Sequence, residues 1–163
     1  MRGTSGARVL EVSAGYHQIF LTPFGSQPLF GEHTGGVLLG VAPDRRALII
    51  MTGCADGPVS IELRNLDEEP PAPPGSFEVQ ESVSLIIDET LSLFGPTSEE
   101  SGAWNVVEPN APGPHRVRVS GTGRGISPDL TVFEPSENYV IEIWPEPRLR
   151  ELETTMDDGH GFE

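Results

Sequence analysis

The feature that most constrains the fold is an alternation of apolar and polar residues in the last third of the chain. In the segment 115–119 two valines alternate with two arginines, and in 138–144 Tyr139, Ile141 and Ile143 share one side. Successive side chains of a strand point to opposite faces of a sheet. The period of two therefore predicts strands with one buried face.

A shorter apolar run, Leu130–Glu134, lies between these two segments, and turns rich in glycine and proline separate all three. This order predicts the closing meander of an antiparallel sheet. Other runs of strand length are spread over the chain, at 9–13, 16–22, 37–41, 47–52, 59–64, 77–87, 90–94 and 104–107. Short apolar runs between turns favour the all-β class, and we predict an antiparallel β-sandwich of about eight to ten strands.

Length bounds the domain organisation. A chain of 163 residues is long enough for one core, because a domain of this size buries about 70% of the surface that its unfolded chain exposes. We expect a flexible N-terminus over 1–8, a single sandwich domain over 9–147 and a disordered acidic tail over 148–163. Part of 148–155 is also compatible with one or two helical turns. The acidic, proline-rich stretch 67–75 is expected to be a stiff surface crossing between two sheets.

Charge limits the partners. The net charge is -15, from 25 acidic residues against 10 basic ones, and every basic residue is arginine. A surface with this much negative charge repels phosphate backbones, which argues against direct binding of nucleic acid. The same charge attracts basic proteins. Without lysine, Schiff-base chemistry and lysine nucleophiles are excluded.

Cysteine content and hydropathy bear on location. Cys54 is the single cysteine, so an intramolecular disulfide is impossible. No continuous apolar run resembles a signal peptide or reaches the length of a membrane span. We therefore expect a cytoplasmic protein without membrane contact.

The candidate catalytic side chains are scattered. The four histidines, His17, His33, His115 and His160, show no metal-ligand spacing. An enzyme built around His17 or His115 is an alternative, and it requires a carboxylate or nucleophile within hydrogen-bond reach. Cys54 has no identifiable base and is expected to be a packed small residue. The sequence assigns no catalytic residue, metal or cofactor.

The candidate binding residues are charged or aromatic. Acidic loop residues are expected to attract a basic partner over long range, with apolar loop residues supplying the close contact. The glycine-rich segment 120–125 lacks the Lys-Ser/Thr and the helix of a phosphate loop, and predicts a β-turn from which an arginine reaches out. An exposed basic patch of three arginines is also expected. Two tryptophans fit either core packing or a binding face. The acidic residues are Asp67, Glu68, Glu69, Asp88, Glu89, Glu99 and Glu100, the arginines are Arg116, Arg118 and Arg124, and the tryptophans are Trp104 and Trp144.

Several segments resemble the competence protein J family of DNA-entry nuclease inhibitors. The segment 10–21 is similar to the family's opening strand with its Tyr-His-Gln element, 77–80 and 83–93 to its middle strands, and 113–119 to its late strand. The chain departs from the family in the proline-rich stretch after Leu66 and in the acidic residues after Trp144. The resemblance implies a β-sandwich without enzymatic activity that binds a basic nuclease.

The leading hypothesis is therefore a non-catalytic acidic binding protein, of the kind that inhibits or neutralises a nuclease or another basic protein. A carbohydrate- or small-ligand-binding module is a second class of function, and it requires Trp104 and Trp144 to be exposed side by side.

Overall fold

The computed structural model describes residues 7–23, 34–71, 75–96, 106–109 and 111–161. The described part of the chain contains twelve strands and no helix. They are β1 (Ala7–Ala14), β2 (Gln18–Pro23), β3 (Thr34–Gly35), β4 (Leu39–Val41), β5 (Leu48–Met51), β6 (Gly57–Asn65), β7 (Val79–Ile87), β8 (Leu91–Phe94), β9 (Val106–Val107), β10 (Gly113–Thr122), β11 (Asn138–Pro145) and β12 (Glu153–Met156).

The strands form two six-stranded sheets, with the orders β1-β6-β11-β10-β7-β12 and β3-β4-β5-β2-β8-β9. Every pairing between these strands is antiparallel except that of β6 with β11. Two of the twelve strands, β3 and β9, are only two residues long. The predicted all-β sandwich, antiparallel apart from one strand pair, is confirmed.

The core lies between the two sheets. Val119 and Ile141 from the first sheet and Leu21 and Ile50 from the second are all fully buried in one cluster. The first sheet alternates as its sequence predicts, since Val117, like Val119, points into this cluster. Each such side chain contributes roughly 1.5–3 kcal/mol through burial, so the core holds the two sheets together.

The predicted closing meander is wrong, and another pair of consecutive strands is not paired either. β10 and β11 pair directly, from His115 opposite Pro145 to Thr122 opposite Asn138, and Leu130–Glu134 is part of the long connection between them. Its only bridge in the described residues joins Thr131 to Asp56. β7 and β8, which read as neighbours in sequence, lie in different sheets. Local alternation does not report which strand is the hydrogen-bonded neighbour.

Other connections agree with the sequence. β4 and β5 form the predicted hairpin, closed by the Arg45 N–H donating to Ala42 O at 2.8 Å. Between β1 and β2 the chain crosses from one sheet to the other, and Tyr16 and His17 take positive φ angles of 53° and 65° there. The expected bend thus lies just after Gly15.

The C-terminal segment corrects the expectation of a disordered tail as far as residue 161. Glu153 and Thr154 pair with Ser82 and Glu81 of β7, so the segment that suggested helical turns contains a strand. The Asp158 side chain is only 6% exposed. At the other terminus, β1 already begins at Ala7. The acidic composition of the segment did not reveal that buried arginines lie beneath it.

Candidate protein-binding surface

The strand register divides the sandwich into two ends. β10 starts beside the end of β7, with Gly113 opposite Ile87, and finishes beside the start of β11, with Thr122 opposite Asn138. We call the end near residue 113 the acidic end and the end near residue 122 the loop end. Ten residues at about 3.3 Å each place the two ends roughly 30 Å apart.

The acidic end carries five of the seven acidic residues predicted to attract a partner. Three follow β6 and two follow β7, at the same end of the first sheet and with exposed side chains. Among them, Asp88 accepts a hydrogen bond from Arg46 Nη1 at 2.8 Å. The five are Asp67, Glu68, Glu69, Asp88 and Glu89. Glu99 and Glu100 lie outside the described residues, and a binding role for this set stays a prediction.

The predicted basic patch is wrong. Arg116 and Arg124 are 1% and 0% exposed, and the side chain of Arg118 is 12% exposed. The Arg116 guanidinium donates to the hydroxyls of Ser84 and Ser82, at 3.1 Å each. Burial lowers the pKa of Arg116. Period-two alternation assigned Arg116 and Arg118 to the outward face of β10, and the glycine-rich turn was expected to point Arg124 outward. The C-terminal segment instead covers Arg116 and Arg124.

Arg118 and Trp144 form a separate packed unit. The Arg118 Nε donates to Glu142 Oε1 at 2.8 Å, and its guanidinium lies 5.5 Å from the centre of the Trp144 ring. Trp144 is 3% exposed, so it does not present a ring to a sugar. Trp104 lies outside the described residues. The paired exposed tryptophans that a carbohydrate-binding module requires are therefore not available on the described surface.

The loop end carries large apolar side chains in solvent. Phe133 is 87% exposed, Tyr16 73%, Ile126 66% and Leu130 57%. Four such residues on two neighbouring segments form the kind of exposed apolar group that marks an interaction site. We call Tyr16, Ile126, Leu130 and Phe133 the loop-end surface.

Backbone hydrogen bonds fix the two segments of this surface to each other through the turn 53–56. The His17 N–H donates to Ala55 O at 2.9 Å, and the Ala55 N–H donates to Leu130 O at 2.8 Å. The Val132 N–H donates in turn to Asp56 O at 2.9 Å. Backbone hydrogen bonds therefore hold the segments that carry the exposed side chains, although each segment is irregular. We call these hydrogen-bonded segments the frame of the loop-end surface.

Backbone strain is concentrated at the same end. Three of the four non-glycine residues with positive φ in the described chain, Tyr16, His17 and Asp129, lie within or beside the loop-end surface. Such conformations cost on the order of 1–3 kcal/mol each and persist where the surrounding structure over-determines them. Most of the non-glycine residues with positive φ in the described chain are therefore found at this end.

The buried carboxylate of Glu137 binds the backbone at the start of the turn in this frame. Glu137 accepts hydrogen bonds from the Gly53 and Cys54 N–H groups, at 3.0 and 2.7 Å, and from the Tyr139 hydroxyl. Burial, together with this carboxylate, raises the pKa of the Cys54 thiol to about 12. Burial and Glu137 also raise the pKa of Tyr139 well above its usual range. Cys54 is therefore packed and protonated, as the sequence predicts, and is no nucleophile at neutral pH.

Neither candidate catalytic histidine has a ring nitrogen placed for chemistry. His17 Nε2 lies 3.3 Å from Asp129 Oδ1, which meets the requirement for a nearby carboxylate, but Nδ1 lies 3.3 Å from Thr52 O. With both nitrogens engaged, the ring ties the Tyr16 turn to the loop 123–137. His115 is buried, and burial lowers its pKa. In the described part of the chain no three histidine, cysteine or acidic side chains form a metal-binding group.

Acidic side chains border the loop-end surface. Asp129 and Glu134 are exposed on the segment that carries Leu130 and Phe133, and Asp56 is half-buried beside it. Sequence reasoning missed this surface, since it assigned 130–134 to a strand. The available signal was a run of large apolar residues between Pro128 and Pro135, two prolines that disfavour a central strand.

Comparison with known proteins supports the fold. No protein-family model matches the chain, and no curated protein matches it. Two solved structures are similar. ComJ from Bacillus subtilis, an inhibitor of the DNA-degrading activity of NucA, has a TM-score of 0.57 at 13% identity, over 90% of this chain and 99% of its own. The protein of crocagin biosynthetic gene J has a TM-score of 0.55 at 16% identity, over 87% and 99%. The likeness is one of fold.

The predicted resemblance to the competence protein J family thus has a distant structural counterpart that spans most of the chain. Among the described residues there is also no helix suited to crossing a membrane.

Proposed function

We propose that this chain is a non-catalytic binding protein that holds a basic protein at its loop end, and that the partner is a DNA-degrading enzyme. The observation that carries the proposal is the loop-end surface itself. Phe133, 87% exposed on a hydrogen-bonded and strained frame, is a rigid aromatic anchor of the type that dominates protein interfaces.

Charge supports a basic partner. The net charge of -15 creates a field that speeds association with cations, and Asp129 and Glu134 place acids beside the anchor. Charge-complementary rims around an apolar centre are the usual anatomy of such interfaces. The fold likeness to an inhibitor of a DNA-degrading activity supports the partner class.

The absence of catalysis is part of the proposal. In the described residues the lone thiol is buried, both candidate histidines are engaged or buried, and no metal-binding group is present. What the loop end offers is shape, apolar area and negative charge, which suit binding.

The test combines partner capture with an activity assay. The wild-type chain is used to capture basic proteins from the native cell extract at low and high salt, and each captured protein is purified and tested for DNA degradation with increasing amounts of the chain. We expect a basic enzyme that is released at high salt and whose DNA degradation the chain suppresses.

Phe133→Ala separates this surface from the rest of the molecule. We expect the variant to lose about 2 kcal/mol of binding energy, because hot-spot aromatics contribute at least that much. Val9→Ala is the matched control, since Val9 is equally apolar and 73% exposed on edge strand β1. Capture of the same proteins with equal affinity by wild type and Phe133→Ala, or suppression of no captured enzyme, would overturn the proposal.

A further inference from the structure

A cleft of about 580 Å³ opens beside the loop-end surface. It lies between the end of β10, the start of β11, the residue before β7 and the C-terminal segment. Its polar lining includes Glu78, Ser136, Asn138 and His160, and Ile126 of the loop-end surface stands at its rim. A partner that covers Phe133 therefore also faces this cleft.

Glycine keeps the wall of the cleft open. A Cβ on Gly123 would lie 2.2 Å from Ser136 O, and φ is +91° there, which disfavours any side chain. A Cβ on Gly125 would lie 2.7 Å from His160 Nε2. The backbone thus forms part of the surface that a ligand meets, as it does wherever glycine allows close approach.

The cleft presents acceptors. Glu78 Oε1 accepts the Gly123 N–H at 2.9 Å, which orients the carboxylate and leaves its other oxygen to face solvent. Ser136 also lines the cleft, but its Oγ is inaccessible to solvent and is therefore not one of the acceptors that a ligand meets. Asn138 adds an exposed amide. Oriented oxygens around an open volume suit a ligand that brings several N–H groups.

Arg124, the arginine beside the cleft, does not face it as a free charge. Arg124 is fully buried and donates to both oxygens of Asp158, at 2.6 and 2.9 Å, and to Val37 O at 3.1 Å. This pair cancels its own charge and leaves Glu78 as the uncompensated charge at the cleft. The chemistry therefore favours a cation and disfavours a phosphate, in agreement with the absence of a phosphate-loop motif from the glycine-rich segment.

We propose that this cleft binds an arginine side chain of the basic partner. The inference rests on the proposed function. A guanidinium is planar and carries five donors, so it can bind the Glu78 carboxylate in a fork and still reach the exposed amide of Asn138. The alkyl stem of the same arginine lies against Ile126 at the rim, as long charged side chains do on apolar surface.

The first test needs no partner protein. Capped arginine (N-acetyl-arginine amide) is titrated into the full isotope-labelled chain, and the amide signals of Gly123, Gly125 and Asn138 are followed by NMR. We expect saturable shifts in the millimolar range, which is ordinary for so small a ligand. Capped citrulline has the same shape without the charge and is the matched control ligand. We expect its affinity, measured from the same shifts, to be at least about fivefold lower.

Glu78→Gln tests the carboxylate. Glutamine can still accept the Gly123 N–H, so the fold is retained, and we expect affinity for capped arginine to fall about tenfold. Glu68→Gln, a neutralised exposed acid at the acidic end, is the matched control and should leave the affinity unchanged.

The outcomes separate the two proposals. Shifts that are equal for arginine and citrulline, or that survive Glu78→Gln, would overturn the arginine cleft, even if a basic partner binds through Phe133. Glu78-dependent binding of capped arginine in a chain that captures no basic enzyme would overturn the proposed function and leave the cleft standing.

Discussion

At the scale of single residues, this protein is distinguished by charged side chains that are buried. Arg116, Arg124, Glu81, Glu137 and Glu142 are each no more than 1% exposed. Charges removed from water are costly unless they are paired and hydrogen-bonded. All five form hydrogen bonds within the protein, and Arg116, Arg124 and Glu142 are also ion-paired, so the acidic composition of the chain is partly structural.

The first prediction concerns Asp158, which pairs with Arg124. Removing Asp158 alone should lower the free energy of unfolding more than removing both members of the pair. Asp158→Asn leaves the buried Arg124 guanidinium without its counter-charge, and we expect about 3 kcal/mol lower free energy of unfolding. Adding Arg124→Met to this variant should restore part of the loss. Urea unfolding of the two single variants and the double variant measures the coupling.

The pH dependence of this pair has a defined sign. Burial alone would raise the pKa of Asp158, but the hydrogen bonds from Arg124 and from the His160 N–H, together with the charge of Arg124, outweigh it and hold the pKa below the ordinary 3.8. A lowered pKa in the folded state contributes stability above pH 3.8 that is lost as the pH falls through the folded value. Asp158→Asn should lack that part of the acid sensitivity. Two results would contradict this interpretation: additive stability losses of the two single variants in the double variant, or an Asp158→Asn variant whose stability depends on acid pH as the wild type does.

At the scale of elements, one carboxylate of β7 joins the two sheets. Glu81 lies on β7 of the first sheet, and its oxygens accept the N–H groups of Val37, Leu38 and Leu39 at the start of β4, at 2.7, 2.9 and 2.8 Å. The Thr154 hydroxyl of β12 donates to it at 2.6 Å. The edge strand β12 is therefore fastened by the side chain that also anchors the opposite sheet.

The second prediction follows from these four donors. Glu81→Gln replaces one acceptor oxygen by an amide N–H2, which meets donors and cannot bond to them, so we expect a loss of about 1–3 kcal/mol. Hydrogen exchange should show faster exchange at Leu38 and Leu39. Glu89→Gln, at an exposed position, is the control and should stay within about 0.5 kcal/mol of wild type. Equal stability of the two variants would show that the hydrogen bonds to Glu81 contribute little.

At the scale of the whole molecule, the two candidate binding regions lie at opposite ends. The acidic end carries Asp67, Glu68 and Glu69, whereas the exposed apolar residues stand at the loop end roughly 30 Å away. Salt screens exposed charges beyond about 8 Å under physiological conditions. A partner held at the loop end should therefore sense the acids beside it far more than those of the other end.

The third prediction distinguishes the two regions kinetically. Neutralising Asp129 and Glu134 to Asn and Gln should slow association with the basic partner about tenfold and flatten its salt dependence. Neutralising Asp67, Glu68 and Glu69 should change the rate by less than about twofold at physiological salt. Stopped-flow association at several salt concentrations measures both. The reverse order would place the contact at the acidic end.

The sequence alone determined the class of fold. Glycine and proline between short apolar runs require turns and exclude long helices, and the period of two in β10 and β11 set which residues face the core. Val117, Val119, Ile141 and Ile143 are buried as that period demands, because pleat geometry is a local property of the chain. Charge composition likewise led to the proposal of a basic partner without reference to structure.

The tertiary structure decided everything that depends on residues distant in sequence. Alternation placed Arg116 outside and the predicted turn placed Arg124 outside. The backbone of 150–151 covers Arg116 and the Asp158 carboxylate pairs with Arg124, both from over thirty residues away. The loop-end surface likewise exists because the turns at 16–17, 53–56 and 128–133 meet across the sandwich. Such meetings are fixed by strand order and burial, which composition and spacing do not encode.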